Sequence, residues 1–201
     1  MMAALGGLSI GQKSWECRCR CAAAADAAQW IGPMEPLKRH GDPVVMDRIC
    51  SQEGYRQLRR DRRSEGGRVY LLTTVSFGRL PLFADWRCAW AAAGQVSSRS
   101  SWPGAELLCW VLMPDHWHGL VRLHRQGDLA TAMRHAKGSM ARAVNLARGR
   151  GGIVWEPGFH DRALRREEDL LPAARYVVGN PLRAGLVRRV GQYPYWNASW
   201  L

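Results

Sequence analysis

Residues 107–121, Leu107-Leu108-Cys109-Trp110-Val111-Leu112-Met113-Pro114-Asp115-His116-Trp117-His118-Gly119-Leu120-Val121, constrain the fold more than any other stretch. Two apolar runs flank a Pro-Asp pair, the pattern of two strands joined by a tight turn. The second strand opens with His116-Trp117-His118. Side chains alternate across a strand, so both imidazoles share one face and Trp117 points to the other. Along that face the spacing puts the two ring nitrogens about 7 Å apart. Two neutral imidazoles can hold a divalent cation when a third group joins them. The competing reading is a polar strand edge carrying two solvated histidines. Their place directly after the turn, in an otherwise apolar hairpin, gives the polar face a functional rationale.

The chain has 201 residues, enough for one domain with a real core. Its formal net charge is +12 and its pI about 10.2, with arginine supplying nearly all of the basic residues. Such a balance favours a polyanionic partner, most often nucleic acid. No apolar run reaches membrane-spanning length, and no basic start leads into a clean apolar signal core. The sequence therefore reads as a soluble, cytoplasmic protein without a membrane partner. Cys17, Cys19 and Cys21 lack the two-residue gap of zinc knuckles, and Cys88 and Cys109 sit in apolar patterns as buried thiols.

Residues 1–53 mix Gly, Ala and scattered charges, with Pro33, Pro36 and Pro43 breaking any periodicity. They are expected to form a poorly ordered extension, and Met34 and Met46 leave the translation start open. A single domain is expected over 54–201. It begins with an arginine-rich arm, in which Arg56, Arg59, Arg60 and Arg63 are candidates for tracking phosphate. Residues 68–77 read as a strand. Asp85 caps a helix to about Val96, and residues 97–104 form a loop. After the hairpin, Gly127-Asp128 opens a helix with Leu129, Met133, Ala136, Met140, Val144 and Ala147 on one face. Its outer side is purely cationic, with Arg134, Lys137 and Arg142 placed to meet a phosphate backbone. Residues 153–155 and 159–164 read as short extended pieces. A third helix follows Glu167-Glu168-Asp169, with Leu170, Ala174, Val177 and Val178 as its apolar stripe. Tyr176 and Asn180 fall about 40° apart off the centre of that stripe, and Asn180 stands at the helix end, before Pro181.

The order strand–helix–strand–strand–helix–strand, then a helix, suits an α+β fold: a ferredoxin-like antiparallel sheet with helices on one face, plus a C-terminal helix. With two histidines on the central strand and a tyrosine on a later helix, the chain resembles the HUH nucleases. Within these it is most similar to the single-tyrosine, IS200-like transposases, and among them to the REP-associated tyrosine transposases. The resemblance covers residues 54–201. It rests on Val111 through His118, the Lys137-Gly138 to Asn145 helix, and Trp155 through Phe159-His160-Asp161. Leu164 through Leu170, Ala174 through Pro181, Arg183 through Val187 and Tyr193-Pro194 complete it.

The resemblance implies that Tyr176 is the nucleophile and that His116 and His118 bind Mg²⁺ or Mn²⁺, with Asn180 standing where a third ligand belongs. Arg175 flanks the nucleophile as a DNA contact. A phenol with a pKa near 10 is a weak nucleophile at neutral pH, and a bound cation would ease its attack on a phosphodiester. The implied activity is nicking and joining of single-stranded DNA through a 5′-phosphotyrosine, at hairpin-forming repeats, by a monomer or homodimer. No ATP is required, which agrees with the lack of a Walker-type loop. The alternative is an inactive DNA-binding descendant of such an enzyme. A zinc-dependent hydrolase would need a third strong ligand and a nearby general base. His160, Trp155, Trp196 and Trp200 carry either a structural or a DNA-contacting role.

Overall fold

Local sequence chemistry sets most element boundaries. A computed structural model describes residues 64–165 and 169–199. The extension 1–53, its boundary at residue 54, the arm with Arg56, Arg59, Arg60 and Arg63, and Trp200 lie outside the described residues. The β-branched and aromatic run becomes β1 (Val69–Val75). Asp85 caps α1 (Trp86–Val96), accepting from Arg87 N at 2.8 Å. The hairpin is β2 (Ala105–Leu112) and β3 (His116–Leu123), closed where Met113 N donates to His116 O at 2.8 Å. Asp128 caps α2 (Leu129–Ala147) through Thr131 N at 2.7 Å. Then come β4 (His160–Ala163), α3 (Leu170–Val178), the single turn α4 (Asn180–Arg183) and β5 (Trp196–Ala198).

All pairings are antiparallel, and the strand order is β4-β1-β3-β2-β5. The first four strands and two helices make the ferredoxin-like βαββαβ arrangement expected from the element order. The extended piece 153–155 joins the sheet through one bridge, Ser76 to Trp155. One piece differs from expectation. β5, which the sequence pattern does not announce, extends the sheet along β2, where Leu112 N donates to Tyr195 O at 2.9 Å and the Tyr193 hydroxyl to Leu112 O at 2.6 Å.

The sheet has a core on each face. α1 and α2 bury Ala89, Val96, Met133 and Met140 against Leu72, Trp110, Trp117 and Val121. α3 lies on the opposite face, burying Ala174, Val177 and Val178 against Leu108, Cys109, Val111 and Leu120. The register shifts between Leu107 and Cys109, so that Leu108 and Cys109 share the α3 face before alternation resumes. His116 and His118 alternate with Trp117 on β3, which sends them to that same α3 face. The two histidines thus face the side of the sheet that carries the C-terminal helix.

Trp117 anchors the hairpin. It is fully buried, with its ring stacked 5.6 Å from that of Trp102. It also lies across Gly119, where a Cβ would come within 2.4 Å of the indole and 3.2 Å of Cys109 O. A methyl group there can be accommodated only by moving Trp117 out of its packed position. Gly119→Ala is therefore expected to cost about 1–3 kcal/mol of stability, as overpacking does. Chemical denaturation checks this, and an unchanged midpoint would mean the indole has room to shift.

Candidate active site

The hairpin turn places His116 and His118 at the start of β3, half-buried beneath α3. Their rings stand edge to face with centroids 4.7 Å apart, so the imidazoles lean together more closely than the spacing of an ideal strand implies. Each ring is held at Nδ1. His116 Nδ1 lies 2.6 Å from Asp115 Oδ1, and that hydrogen bond is the main reason the Asp115 carboxyl is held below the usual carboxylate range. An ionised Asp115 accepts from Nδ1–H and leaves the lone pair of His116 on Nε2. His118 Nδ1 lies 2.7 Å from Thr73 Oγ1 across β1 and β3. With Nδ1–H donating to the hydroxyl, His118 also presents Nε2.

Burial pulls the His118 pKa down to about 4, and the neighbouring His116 ring and the Arg183 guanidinium push it the same way. A neutral imidazole at pH 7 has a lone pair to give, which is the form a metal takes. The Asp115 carboxylate also faces Arg79 at 3.6 Å. Arg79 has φ +51°, the only positive φ of a non-glycine among the described residues, and sits in a turn closed by Ser76 Oγ on Leu80 O at 2.6 Å. The chain accepts that strain where it sets a cation beside the histidine pair.

The nucleophile candidate lies on α3, which packs on the sheet face to which the histidines point. α3 turns Ala174, Val177 and Val178 to the sheet and leaves Tyr176 half exposed, with Arg175 exposed beside it. Asn180 opens α4, where its Nδ2 donates to Tyr176 O at 3.3 Å and to Val177 O at 3.1 Å. The amide nitrogen is thereby occupied, which leaves Oδ1 as the side chain's acceptor. Among the described residues no group of three or more His, Cys, Asp and Glu side chains could hold a metal. The residues that could serve one are His116 and His118 through Nε2, with the Asn180 amide at the start of α4 as the third candidate, donor types suited to a divalent cation. Arg183 stands against the tyrosine. Its guanidinium carbon lies 4.1 Å from the Tyr176 ring centroid, and its charge is felt at His118.

The basic residues divide. Arg134 and Arg142 are exposed on α2 and line one depression together with His135. Lys137 turns inward instead. Its ammonium donates to Glu156 O and Gly158 O, and burial lowers its pKa to about 8. It fastens the loop before β4 to α2. Trp155 is buried and packs 5.0 Å from Phe83, and Trp196 is half-buried in β5. His160 is exposed and pairs in register with Thr73, itself opposite His118, so the three residues form a row across the sheet. Sequence reasoning does not single out Thr73, Asp115 or Arg79. Asp115 carries a signal, a carboxylate adjacent to a histidine. Thr73 carries none, since only the strand register brings it to His118.

No described helix is long and apolar enough to cross a membrane. A curated relative, the REP-associated tyrosine transposase of Escherichia coli strain K12, is 28% identical over 91 residues. The alignment covers 45% of this chain and 52% of that protein, about half of the relative's length. A solved structure of a REP-associated tyrosine transposase bound to a REP hairpin superposes with a TM-score of 0.53 at 24% identity, covering 67% of this chain and 79% of the other. That likeness bears on the fold. The IS200-like transposase model matches residues 77–177, half of the chain, a span that contains the histidine hairpin, α2 and Tyr176. A histidine pair and an exposed tyrosine on one face of a ferredoxin-like sheet, within that match, place the chain in the IS200-like transposase family, whose members process DNA.

Proposed function

We propose that the protein nicks and joins single-stranded DNA through a covalent link to Tyr176, at hairpins with unpaired flanks. The observation that carries this reading is that α3, the helix bearing Tyr176, packs on the sheet face to which His116 and His118 point. In this reading nucleophile and histidines share one site. In the nicking step the Tyr176 hydroxyl loses its proton to solvent and its oxygen attacks phosphorus. The bond from phosphorus to the 3′ oxygen breaks, and that oxygen takes up a proton. The products are a 5′-phosphotyrosine and a free 3′-OH. Attack of a 3′-OH on the phosphotyrosine reverses these steps, so joining needs no nucleotide cofactor. A bound Mg²⁺ or Mn²⁺ would polarise the phosphate and offset charge on its oxygens. His116 and His118, oriented by Asp115 and Thr73, would hold it together with Asn180.

The REP hairpin in the solved relative supports a hairpin as the DNA partner. The acid-free outer side of α2, with Arg134 and Arg142, and the Arg59, Arg60 and Arg63 arm supply positive charge for its backbone. Binding should weaken steeply with salt. Alanine at Arg134 or Arg142 should lower the slope of log affinity against log salt by about 0.7–0.9 for each phosphate no longer neutralised. A slope unchanged in the double variant would remove α2 from the interface. The active unit is residues 54–201, so a chain beginning at Met46 should fold and attach to DNA as the full chain does. Failure of that shorter chain to fold would assign the extension a structural role.

The test is a labelled single-stranded hairpin incubated with the protein and Mg²⁺ or Mn²⁺, then run on a denaturing gel. A retarded protein–DNA band is expected. Tight hairpin binding without a nick or adduct under either metal would favour a DNA-binding protein that has lost catalysis.

A further inference from the structure

A half-exposed tyrosine on a nine-residue helix samples several rotamers unless a neighbour holds it. The chain supplies that neighbour through a turn. α3 ends at Val178, Gly179 keeps a helical backbone, and α4 follows directly, so that the side chain of Arg183, seven residues on from Tyr176, reaches back to the last turn of α3. There Nη2 of Arg183 donates to the Tyr176 carbonyl, and the guanidinium lies over the phenol with its carbon 4.1 Å from the ring centroid. Gly179 gives the guanidinium its room. A Cβ at Gly179 would stand 3.1 Å from Arg183 Nη1 and 2.9 Å from Arg175 O. The φ of Gly179 is −78°, so the glycine is needed for space and not for its backbone freedom.

We propose that Arg183 is a positioning residue for the nucleophile: its guanidinium clamps the Tyr176 ring and fixes positive charge beside the oxygen that attacks the phosphodiester. This rests on the reading of Tyr176 as nucleophile. A planar, permanently charged fork can stack on a phenol and still offer N–H groups to a phosphate, whereas an ammonium does not stack in this way. One of the five donors is taken by the Tyr176 carbonyl, and that bond locks the fork relative to the helix turn that carries the phenol.

The experiment measures single-turnover adduct formation by the full chain on a labelled hairpin with Mn²⁺, alongside hairpin affinity and thermal unfolding. Arg183→Ala should slow attachment at saturating DNA on the order of 100-fold, the scale of a misplaced reacting group. Hairpin affinity and melting should stay near wild type. Added guanidinium ion should recover much of the Arg183→Ala rate. Arg183→Lys should stay slow and gain nothing from guanidinium, because its own side chain fills the space. Gly179→Ala should slow attachment in the same direction by displacing the fork. Wild-type rates in Arg183→Ala overturn the clamp. So does a defect that higher DNA concentration removes, since that is a phosphate contact, or one that guanidinium leaves in place while melting drops, since that is structural. A wild type that forms no adduct overturns the nucleophile reading beneath it, whereas a wild-type adduct with an indifferent Arg183→Ala overturns the clamp alone.

Discussion

Tyr176→Phe is expected to abolish covalent attachment to DNA while leaving hairpin binding nearly intact. The substitution removes one hydroxyl from a half-exposed ring, so stability should change by no more than about 0.5 kcal/mol. A phenylalanine ring still accepts the Arg183 guanidinium on its face, so the turn between α3 and α4 should persist. The other described tyrosines are poor substitutes. Burial pushes the phenols of Tyr193 and Tyr195 up, away from the range where a phenolate forms easily. The Tyr70 hydroxyl is engaged with the backbone of Glu65, and its ring is buried in the core beneath α1 and α2. An adduct formed at wild-type rate by Tyr176→Phe would place the nucleophile elsewhere.

His116→Ala and His118→Ala should each stop cleavage for a different reason. Neither touches the phenol, but each removes an imidazole whose Nδ1 is already fixed and whose Nε2 is the atom left for a cation. The loss is one of metal affinity, so excess Mn²⁺ should restore part of the rate. Asn180→Ala should show a milder version, since an amide oxygen is a weaker ligand than an imidazole. Thr73→Val and Asp115→Asn keep both imidazoles but release their orientation. They should raise the metal concentration for half-maximal attachment by about 10–100-fold. A metal titration of adduct rate reads all five. Alanine variants with the wild-type metal dependence would remove the histidines from any metal site.

The fold was legible where local chemistry decides it. Asp85 and Asp128 announce their helices because a carboxylate before an apolar run satisfies free backbone donors. The α2 stripe from Leu129 to Val144 is buried as its periodicity predicts, and only Ala147, at the fraying end, is exposed. β5 was not legible: three residues after a proline carry little strand pattern, and their pairing depends on the edge that β2 presents. The same division runs through the site. His116, His118 and Tyr176 stand out by spacing and resemblance. Thr73 does not, because its role exists only in the β1–β3 register. Lys137 looks like part of a cationic face on a helical wheel, yet its long stem lets the ammonium reach inward to two carbonyls. A wheel gives the direction of a Cβ and not the end point of a flexible side chain.

Mapping the attachment site tests the central claim most directly. Wild-type protein is reacted with a single-stranded hairpin and Mn²⁺, the adduct is digested, and the nucleotide-bearing peptide is sequenced by mass spectrometry. The expected result is a 5′-phosphate ester on Tyr176, with a free 3′-OH on the released strand. A phosphate on any other residue, or a nick that leaves a free 5′-phosphate and no protein adduct under any divalent metal, would contradict it.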